Sequence, residues 1–408
     1  MPQREWNEFA SDDVFLGTDY LKTMEHSKGV QRVFYIAFFA GKRWVGIAVV
    51  QQVGFHSKRV DDNLQSKNAV VRYLTRKLTP ANSSAGSVLL CGNAYATGEH
   101  AFRFSREIPE QKAMEGVCAA ISELAAGMKN EVSAIVVKDF YGSAGMFTSS
   151  LNKGGFASFS VDHNMMMPVL PHWKTFEDYL ADLNTKFRTK AHAALKRSEV
   201  LEVKDFSTEE LRRYRDRLND LFVQVIAKAD FKMGDLSFDD LLNLHAQMGD
   251  KMKLRVYMID GEPVGFLAAF LYNKVLDAHV VGIDYAKNRN YAIYSRILYD
   301  YIAMAIESGM EQIWFGRTAG EIKTSVGAVP VDMCCCIRHT RKTSNFLLRI
   351  LFNYVKPTDF PKRRPYHKEV GEQVARWAEE RAQAQNGSIF TQVAGQRSST
   401  TKPLESSL

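Results

Sequence analysis

Apolar and polar positions along the chain fall into the same succession twice. Residues 33–50, VFYIAFFAGKRWVGIAVV, and residues 254–271, LRVYMIDGEPVGFLAAFL, each read as an apolar strand, a short polar turn and a second apolar strand. Gly41 and Gly261 supply the turns, and Val45-Gly46 matches Val264-Gly265, with one extra residue in the first turn. This predicts a β-hairpin in each half. After the second hairpin come a strand, VLDAHVVGI, and a helix, YAIYSRILYDYIAMAIESG. In that helix Tyr294, Ile297, Leu298, Tyr301, Ile302, Ala305 and Ile306 keep helical spacing, and Gly309 is placed to end it. Strand QIWF, a short helix, Gly327 and strand PVDMCCCI follow. The first half offers SVLLCGN, helix EQKAMEGVCAAISELAAG, strand VSAIVVKDF, Gly154-Gly155 and strand FASFSVDHNMMMPV in the same order. Hairpin, strand, helix, strand, helix, strand occurring twice implies duplicated α/β domains.

Three helices lie between the halves, each opened by a capping-box pattern: Thr175 with Asp178, Ser207 with Glu210, and Ser237 with Asp240. The first carries KFRTKAHAALKR, with Lys186, Lys190 and Arg197 on one side and Arg188, His192 and Lys196 on an adjacent one. That is a basic surface, in which Arg188 and Lys190 are candidates for holding a phosphate. Towards the C-terminal end stand an amphipathic helix, SNFLLRILFNYV, the segment KPTDFPKRRPYHK, and a charged helix, EVGEQVARWAEERAQAQ. Arg341, Lys342 and Lys356 flank the amphipathic helix, so peripheral contact with an anionic bilayer is an alternative to packing on its own domain. The Ser/Thr-rich end, GSIFTQVAGQRSSTTKPLESSL, reads as disordered.

Length and composition narrow this picture. At 408 residues two or three domains are expected, and 46% hydrophobic with 24% charged residues excludes wholesale disorder. A net charge of +7 fits a phosphate-bearing partner such as coenzyme A, an acyl carrier protein, RNA or an anionic lipid surface. Three of the five cysteines, Cys334 to Cys336, are consecutive and cannot all face one ion, so they read as a buried strand. The opening MPQREWNEFASDD has no cationic and apolar leader pattern, and the longest apolar runs are shorter than a membrane span. A reduced, cytoplasmic location is expected. No Cys-His or Ser-His-Asp spacing calls for a covalent nucleophile, and no clustered His/Asp/Glu pattern calls for a metal.

Residues 315–330, FGRTAGEIKTSVGAVP, carry two glycines and a Lys-Thr pair, like a phosphate loop. The spacing excludes it, because Glu321 and Ile322 separate Gly320 from Lys323 and would put a carboxylate among the phosphates. Thr318 and Glu321 form another capping-box pattern, Ile322 and Val326 an apolar pair, and Gly327 a stop. Arg317 and Lys323 are left over. Arg317 ends a strand, where α/β folds place ligands, and Lys323 lies one turn into the helix, able to point into the same crevice.

The run YAIYSRILYDYIAMAIESGMEQIWFGRTAGEIKTSVGAVP resembles the C-terminal half of the GNAT-fold, Fem-like N-acyltransferases, specifically the FemAB-like or peptidoglycan biosynthesis/recognition type. WKTFEDYLADLNTKFRTKAHAALKRSEVLEV and YVKPTDFPKRRPYHK resemble segments of the same family. The resemblance covers about residues 170–368, and the first half only by its pattern. It implies tandem GNAT-like domains with mixed central sheets flanked by helices. Residues 1–170 would be a degenerate GNAT-like domain, 171–368 the acyltransferase domain, and 369–408 a charged helix and tail. It implies transfer of an acyl or aminoacyl group from a thioester or ester to an amine, without a covalent enzyme intermediate and with no tightly bound cofactor. The acceptor would be a small-molecule or a lipid- or peptidoglycan-related amine. The donor crevice would lie near VVGIDYAKNRNYAIY, with helix-start amides for a pyrophosphate or an equivalent anion. AKNRNYAIY lacks the glycines of acetyl-CoA-using members, leaving acyl-CoA, acyl carrier protein and aminoacyl-tRNA open as donors. The rival reading is a non-catalytic module binding RNA or an anionic glycan. The candidate catalytic residues are Asp284, Tyr285 and Lys323, and the candidate binding residues are Arg188, Lys190, Arg317 and Glu321. For Asp284 and Tyr285 the plainer alternative is a helix cap and a packed aromatic. His279, alternating with apolar residues, reads as a satisfied core histidine, and Tyr294 as core.

Overall fold

The computed structural model describes residues 2–54, 87–128, 131–141, 145–228, 236–352, 357–383 and 390–391. Helices α1 (Gln3–Ala10) and α2 (Thr18–Met24) precede the first hairpin, β1 (Val30–Ala40) and β2 (Arg43–Gly54). Next come β3 (Ser87–Cys91), β4 (Phe102–Ser105), α3 (Glu110–Gly127), β5 (Val132–Tyr141), α4 (Gly145–Lys153) and β6 (Ala157–Pro168). The middle of the chain forms α5 (Phe176–Asp182), α6 (Thr185–Arg197), β7 (Glu202–Asp205), α7 (Thr208–Arg213), α8 (Arg215–Ala227) and α9 (Phe238–Met248). The second half then runs through β8 (Met252–Ile259), β9 (Glu262–Tyr272), β10 (Val275–Ile283), α10 (Tyr285–Tyr291), α11 (Ile293–Glu307), β11 (Gln312–Trp314), α12 (Gly320–Ser325) and β12 (Val329–His339). Helices α13 (Lys342–Phe352) and α14 (Lys368–Gln383) and the short β13 (Phe390–Thr391) close it.

Both predicted hairpins form, and their likeness runs deeper than the sequence suggested. Each closes through two residues, Gly41-Lys42 between Ala40 and Arg43, and Asp260-Gly261 between Ile259 and Glu262. Asp260 and Gly261 both have positive φ, as such tight turns require. The residue expected as an extra one in the first turn is not there. Phe38 pairs with Gly46 and Tyr257 with Gly265, so the two loops are the same length, and Val45 and Val264 each fall at a bulge. The glycines were one position out of step because Gly41 opens its turn while Gly261 closes it.

The described strands form one mixed sheet in the order β13-β4-β2-β3-β5-β12-β6-β11-β10-β9-β8-β7, with β1 added beside β2. The halves exchange their last strands. β12 pairs antiparallel with β5 of the first half, and β6 pairs antiparallel with β11 of the second. Two short sheets are thereby sewn into one at the β12–β6 ladder. The three capping boxes between the halves form as the sequence predicts, opening α5, α7 and α9, but the first does not carry KFRTKAHAALKR: the chain breaks at Leu183 and Asn184 caps a separate α6.

Alternation along the strands sends side chains into different layers. Leu267 joins Ile297, Leu298, Tyr301 and Ile302 of α11 on one face. Phe266 and Ala268 join a second core, where Phe15 and Tyr20 meet Leu221, Phe238 and Leu241. That second core mixes helices from both halves, and each fully buried aliphatic or aromatic side chain contributes about 1.5–3 kcal/mol. Cys334 to Cys336 are buried in β12, as expected. Helix α14 packs on β12 and β6, with the Arg381 guanidinium 5.7 Å from the Trp314 ring centre. Phe390–Thr391 pair with β4, so part of the stretch expected to be disordered is a strand, and the rest of that expectation lies outside the described residues. Helix α13 packs against β6 and β12, leaving Phe346 exposed. Among the described residues no helix is long and apolar enough to cross a membrane.

Candidate active site

The turn after β11 is built differently from the capped helix its sequence suggests. Ala319 adopts a left-handed conformation and α12 starts only at Gly320, so Thr318 and Glu321 do not form a capping box. Glu321 instead pairs with Arg363 from the C-terminal segment. That segment lies across α12. A side chain at Gly320 would run into the Phe360 ring, 2.5 Å away, and one at Gly327 into the Tyr366 hydroxyl. The glycines of this stretch therefore make room for two aromatic rings, and Gly327, at φ +106, also ends the helix.

Lys323 does not point into a crevice. It is 4% exposed, and its Nζ donates to the Phe315 carbonyl at 2.5 Å and the Gly316 carbonyl at 3.4 Å. Burial pushes its pKa down to about 7. The ammonium staples the strand end to the helix and is turned away from the cleft. Arg317 does face open space. Its guanidinium pairs with buried Asp139 of β5, in the first half, while its Nε has no hydrogen-bond partner. Lys138 Nζ lies 3.0 Å from Asp139, and the Gly98 amide donates to it at 3.2 Å. Burial alone would raise the Asp139 pKa, but the charges of Arg317 and Lys138 hold it low.

Arg317 lines a cleft of roughly 740 Å³ together with Lys186 and Lys190 of α6, Glu321, Phe360 and Arg363. Asp162 also lines it; with Glu321 engaged by Arg363 and Arg317 by Asp139, Lys186 and Lys190 against Asp162 leave a small positive excess, which favours an anion. Arg188, expected beside Lys190, is not on the cleft wall. It turns back past the start of its own helix to the Ala181 carbonyl of α5, at 3.4 Å.

The second feature is a parting of strands. β10 and β11 pair in parallel over three residues, Val275 to Asp277 against Gln312 to Trp314. β10 then continues to Ile283 with no strand on that edge among the described residues. On its other edge Ala278 and His279 oppose Ala269 alone, forming a bulge. The Tyr301 hydroxyl sits beneath it, bonded to the Ala268 and Val280 carbonyls at 3.1 and 3.2 Å. The His279 side chain is 2% exposed although the residue is half-buried, so its exposure lies in the main chain. Nor is this histidine satisfied, since Nε2 has no partner and Nδ1 is 3.7 Å from the Asp277 carboxylate. In the first half the corresponding opening, between β3 and β5, is bridged by Lys138, which donates to the Asn93 and Ala96 carbonyls at 2.6 and 2.7 Å.

Asp284 and Tyr285 stand at the end of β10. Both oxygens of Asp284 are engaged: one caps α10 by accepting from the Ala286 and Lys287 amides, the other pairs with Arg217 at 2.7 Å. Burial opposes, but the Arg217 hydrogen bond and the helix amides lower its pKa. That is a cap and an ion pair, poorly suited to taking a proton. Tyr285 lies under the Lys228 ammonium, 3.5 Å from its ring centre. Of the amides at the start of α11, that of Tyr294 is taken, donating to Asn288 Oδ1 at 2.8 Å. Asp139, Phe360 and Arg363 were not read as site residues. Their segments read as a strand and a C-terminal tail, with no local sign that they meet Arg317 and Glu321. Among the described residues no group of three His, Cys, Asp or Glu is placed to hold a metal.

A model described as an acetyltransferase (GNAT) domain matches residues 185–324. No curated protein matches the chain. Among solved structures, FemX is 11% identical, covering 82% of this chain and 96% of its own, with a TM-score of 0.52. The C-terminal domain of a putative lysylphosphatidylglycerol synthetase from Agrobacterium fabrum is 9% identical over 88% of this chain and 98% of its own, with a TM-score of 0.49. A tandem GNAT protein from the clavulanic acid biosynthesis pathway is 8% identical over 79% and 87%, also with a TM-score of 0.49. Residues 185–324 thus match a GNAT acetyltransferase domain, and they are set in a fold like that of FemX.

Proposed function

We propose that the chain transfers an acyl or aminoacyl group directly from a thioester or ester donor to an amine, at the place where β10 and β11 part. The observation that carries this reading is the bulge at Ala278–His279, whose main chain is exposed beside the open strand edge. An amide there can donate to the donor's carbonyl oxygen as it gains negative charge. The amine nitrogen then attacks the carbonyl carbon, the bond to sulfur or oxygen breaks, and the amine proton leaves to a base. Residues 171–368 would carry this chemistry, and residues 1–170, whose equivalent opening Lys138 closes, would be the degenerate partner.

The cationic cleft of Lys186, Lys190 and Arg317 suits a phosphate-bearing acceptor, such as a lipid- or peptidoglycan-related amine. The occupied start of α10 argues about the donor. Asp284 places a carboxylate where a pyrophosphate would need bare amides, which favours an acyl carrier protein or an aminoacyl-tRNA over acyl-CoA. Native mass spectrometry of the purified protein, followed by binding of acyl-pantetheine, acyl-CoA, acylated carrier protein and aminoacyl-tRNA, tests this. Retention of a pantetheine or aminoacyl-ester donor is expected. Tight binding of acyl-CoA through its pyrophosphate would refute the donor choice, and no binding of any of the four would refute the reading.

A further inference from the structure

Three polar atoms are buried without a hydrogen-bond partner at one place between the halves: His100 Nε2, Tyr272 hydroxyl and His279 Nε2. They come from the loop after β3, the end of β9 and the bulge of β10, which the folding of both halves brings together. The Phe15 ring touches all three, with ring centres 4.7 Å from His100, 5.5 Å from Tyr272 and 5.8 Å from His279. Unpaired buried polar atoms are costly, and three of them around one ring call for a partner the fold itself does not supply.

Of the three, His100 is the one held like a base. It is 2% exposed, and its Nδ1 lies 2.9 and 3.0 Å from the two oxygens of Asp13. Asp13 is fixed in turn by Arg103 at 2.5 Å and by the Phe15 amide at 3.0 Å. A carboxylate on Nδ1 keeps that nitrogen protonated and leaves the lone pair on Nε2. Nε2 is directed past Gly98 towards the last rung of the β10–β11 ladder. The point where a Gly98 side chain would begin is 2.8 Å from Nε2, 3.2 Å from the Tyr141 hydroxyl and 3.3 Å from the Trp314 ring. Trp314 is the residue of β11 paired with Asp277, two positions before His279.

We propose that His100, oriented by Asp13, is the base that takes the acceptor's proton, so that the first half serves the reaction of the second. This rests on the reading of the β10–β11 opening as the donor site. As the amine nitrogen bonds to the carbonyl carbon, its proton passes to Nε2, directly or through one water. The donor's sulfur or oxygen leaves with the electron pair of the broken bond and takes that proton back. Asp277, Asp13, Tyr141 and Arg103 lie around the Tyr272 hydroxyl, and the Tyr272 ring centre is 6.4 Å from that of His100, so Tyr272 and His279 are placed to hold the amine or the water.

Two measurements test it. Ring-nitrogen NMR near pH 8, with the His100 signal assigned by its loss in His100→Gln, is expected to show Nδ1 protonated and Nε2 bare; the opposite tautomer overturns the proposal. In the second, acetyl-pantetheine binding and thiol release with glycinamide as acceptor are followed in wild type and His100→Ala. Unchanged binding with release slowed about 100-fold or more, and at least partly restored by added imidazole, supports the base. Equal binding with an equal rate overturns it and leaves the donor site standing, as does a slowed rate that imidazole does not restore while His100→Gln works normally. Failure of wild type to bind the thioester removes the donor reading and the base with it.

Discussion

Lys323 offers a prediction whose size follows from its surroundings. A lysine in an unfolded chain titrates near ~10.4, while burial holds this one down to about 7. Between those values the unfolded chain binds a proton that the folded chain has released, so stability rises with pH through the window and is level below it. At about 1.36 kcal/mol per unit, the rise from pH 7 to pH 9.5 is about 3 kcal/mol. The Phe315 and Gly316 carbonyls favour the ammonium and trim this to about 2–3 kcal/mol. Lys323→Met fills the same space and does not titrate. Urea unfolding of both proteins at several pH values isolates the effect, because all other groups cancel in the difference. The wild type is expected to gain on the variant steadily from pH 7 to pH 9.5. A difference constant to within about 0.5 kcal/mol would refute the assignment of a buried, depressed lysine.

Gly327→Ala meets both a positive φ and the Tyr366 hydroxyl, so thermal unfolding should reveal a loss of about 2–3 kcal/mol. An unaltered melting temperature would mean that the C-terminal segment does not lie on α12. Replacing Lys186 and Lys190 together by glutamate should weaken binding of inorganic pyrophosphate at least about tenfold and reduce its salt dependence; equal affinity, measured by calorimetry, would clear the cleft of that role. Asp284→Ala removes a cap and strands Arg217, at a cost of about 1–2 kcal/mol, whereas Asp284→Asn keeps the cap and should leave the transfer rate within about twofold. Abolished transfer in a stable Asp284→Asn protein would restore Asp284 as a catalytic group.

How much was legible from the chain differs between local and distant features. The hairpins, the three capping boxes, the α11 stripe and the buried cysteine strand are set by neighbours a few residues apart, and periodicity reports those directly. The family resemblance was legible for the same reason, since its motifs are contiguous. What the sequence alone could not decide was which side chains find partners. Arg317 faces the cleft while held by Asp139, and Glu321 is taken by Arg363, both through contacts between segments far apart in the chain. Lys323 and Asp284 kept the residue types of a site, yet the tertiary structure turned one inward to two carbonyls and closed the other with Arg217 and two amides. Conversely, His279 looked like a satisfied core histidine and His100 attracted no attention. Only the packing of α2 on α9 and of Phe15 on β9 and β10 brings both to one ring, each with an Nε2 that has no partner. Sequence spacing fixes a strand or a cap because the partner is local, whereas the charge and hydrogen bonding of a buried side chain depend on whatever the rest of the fold brings to it.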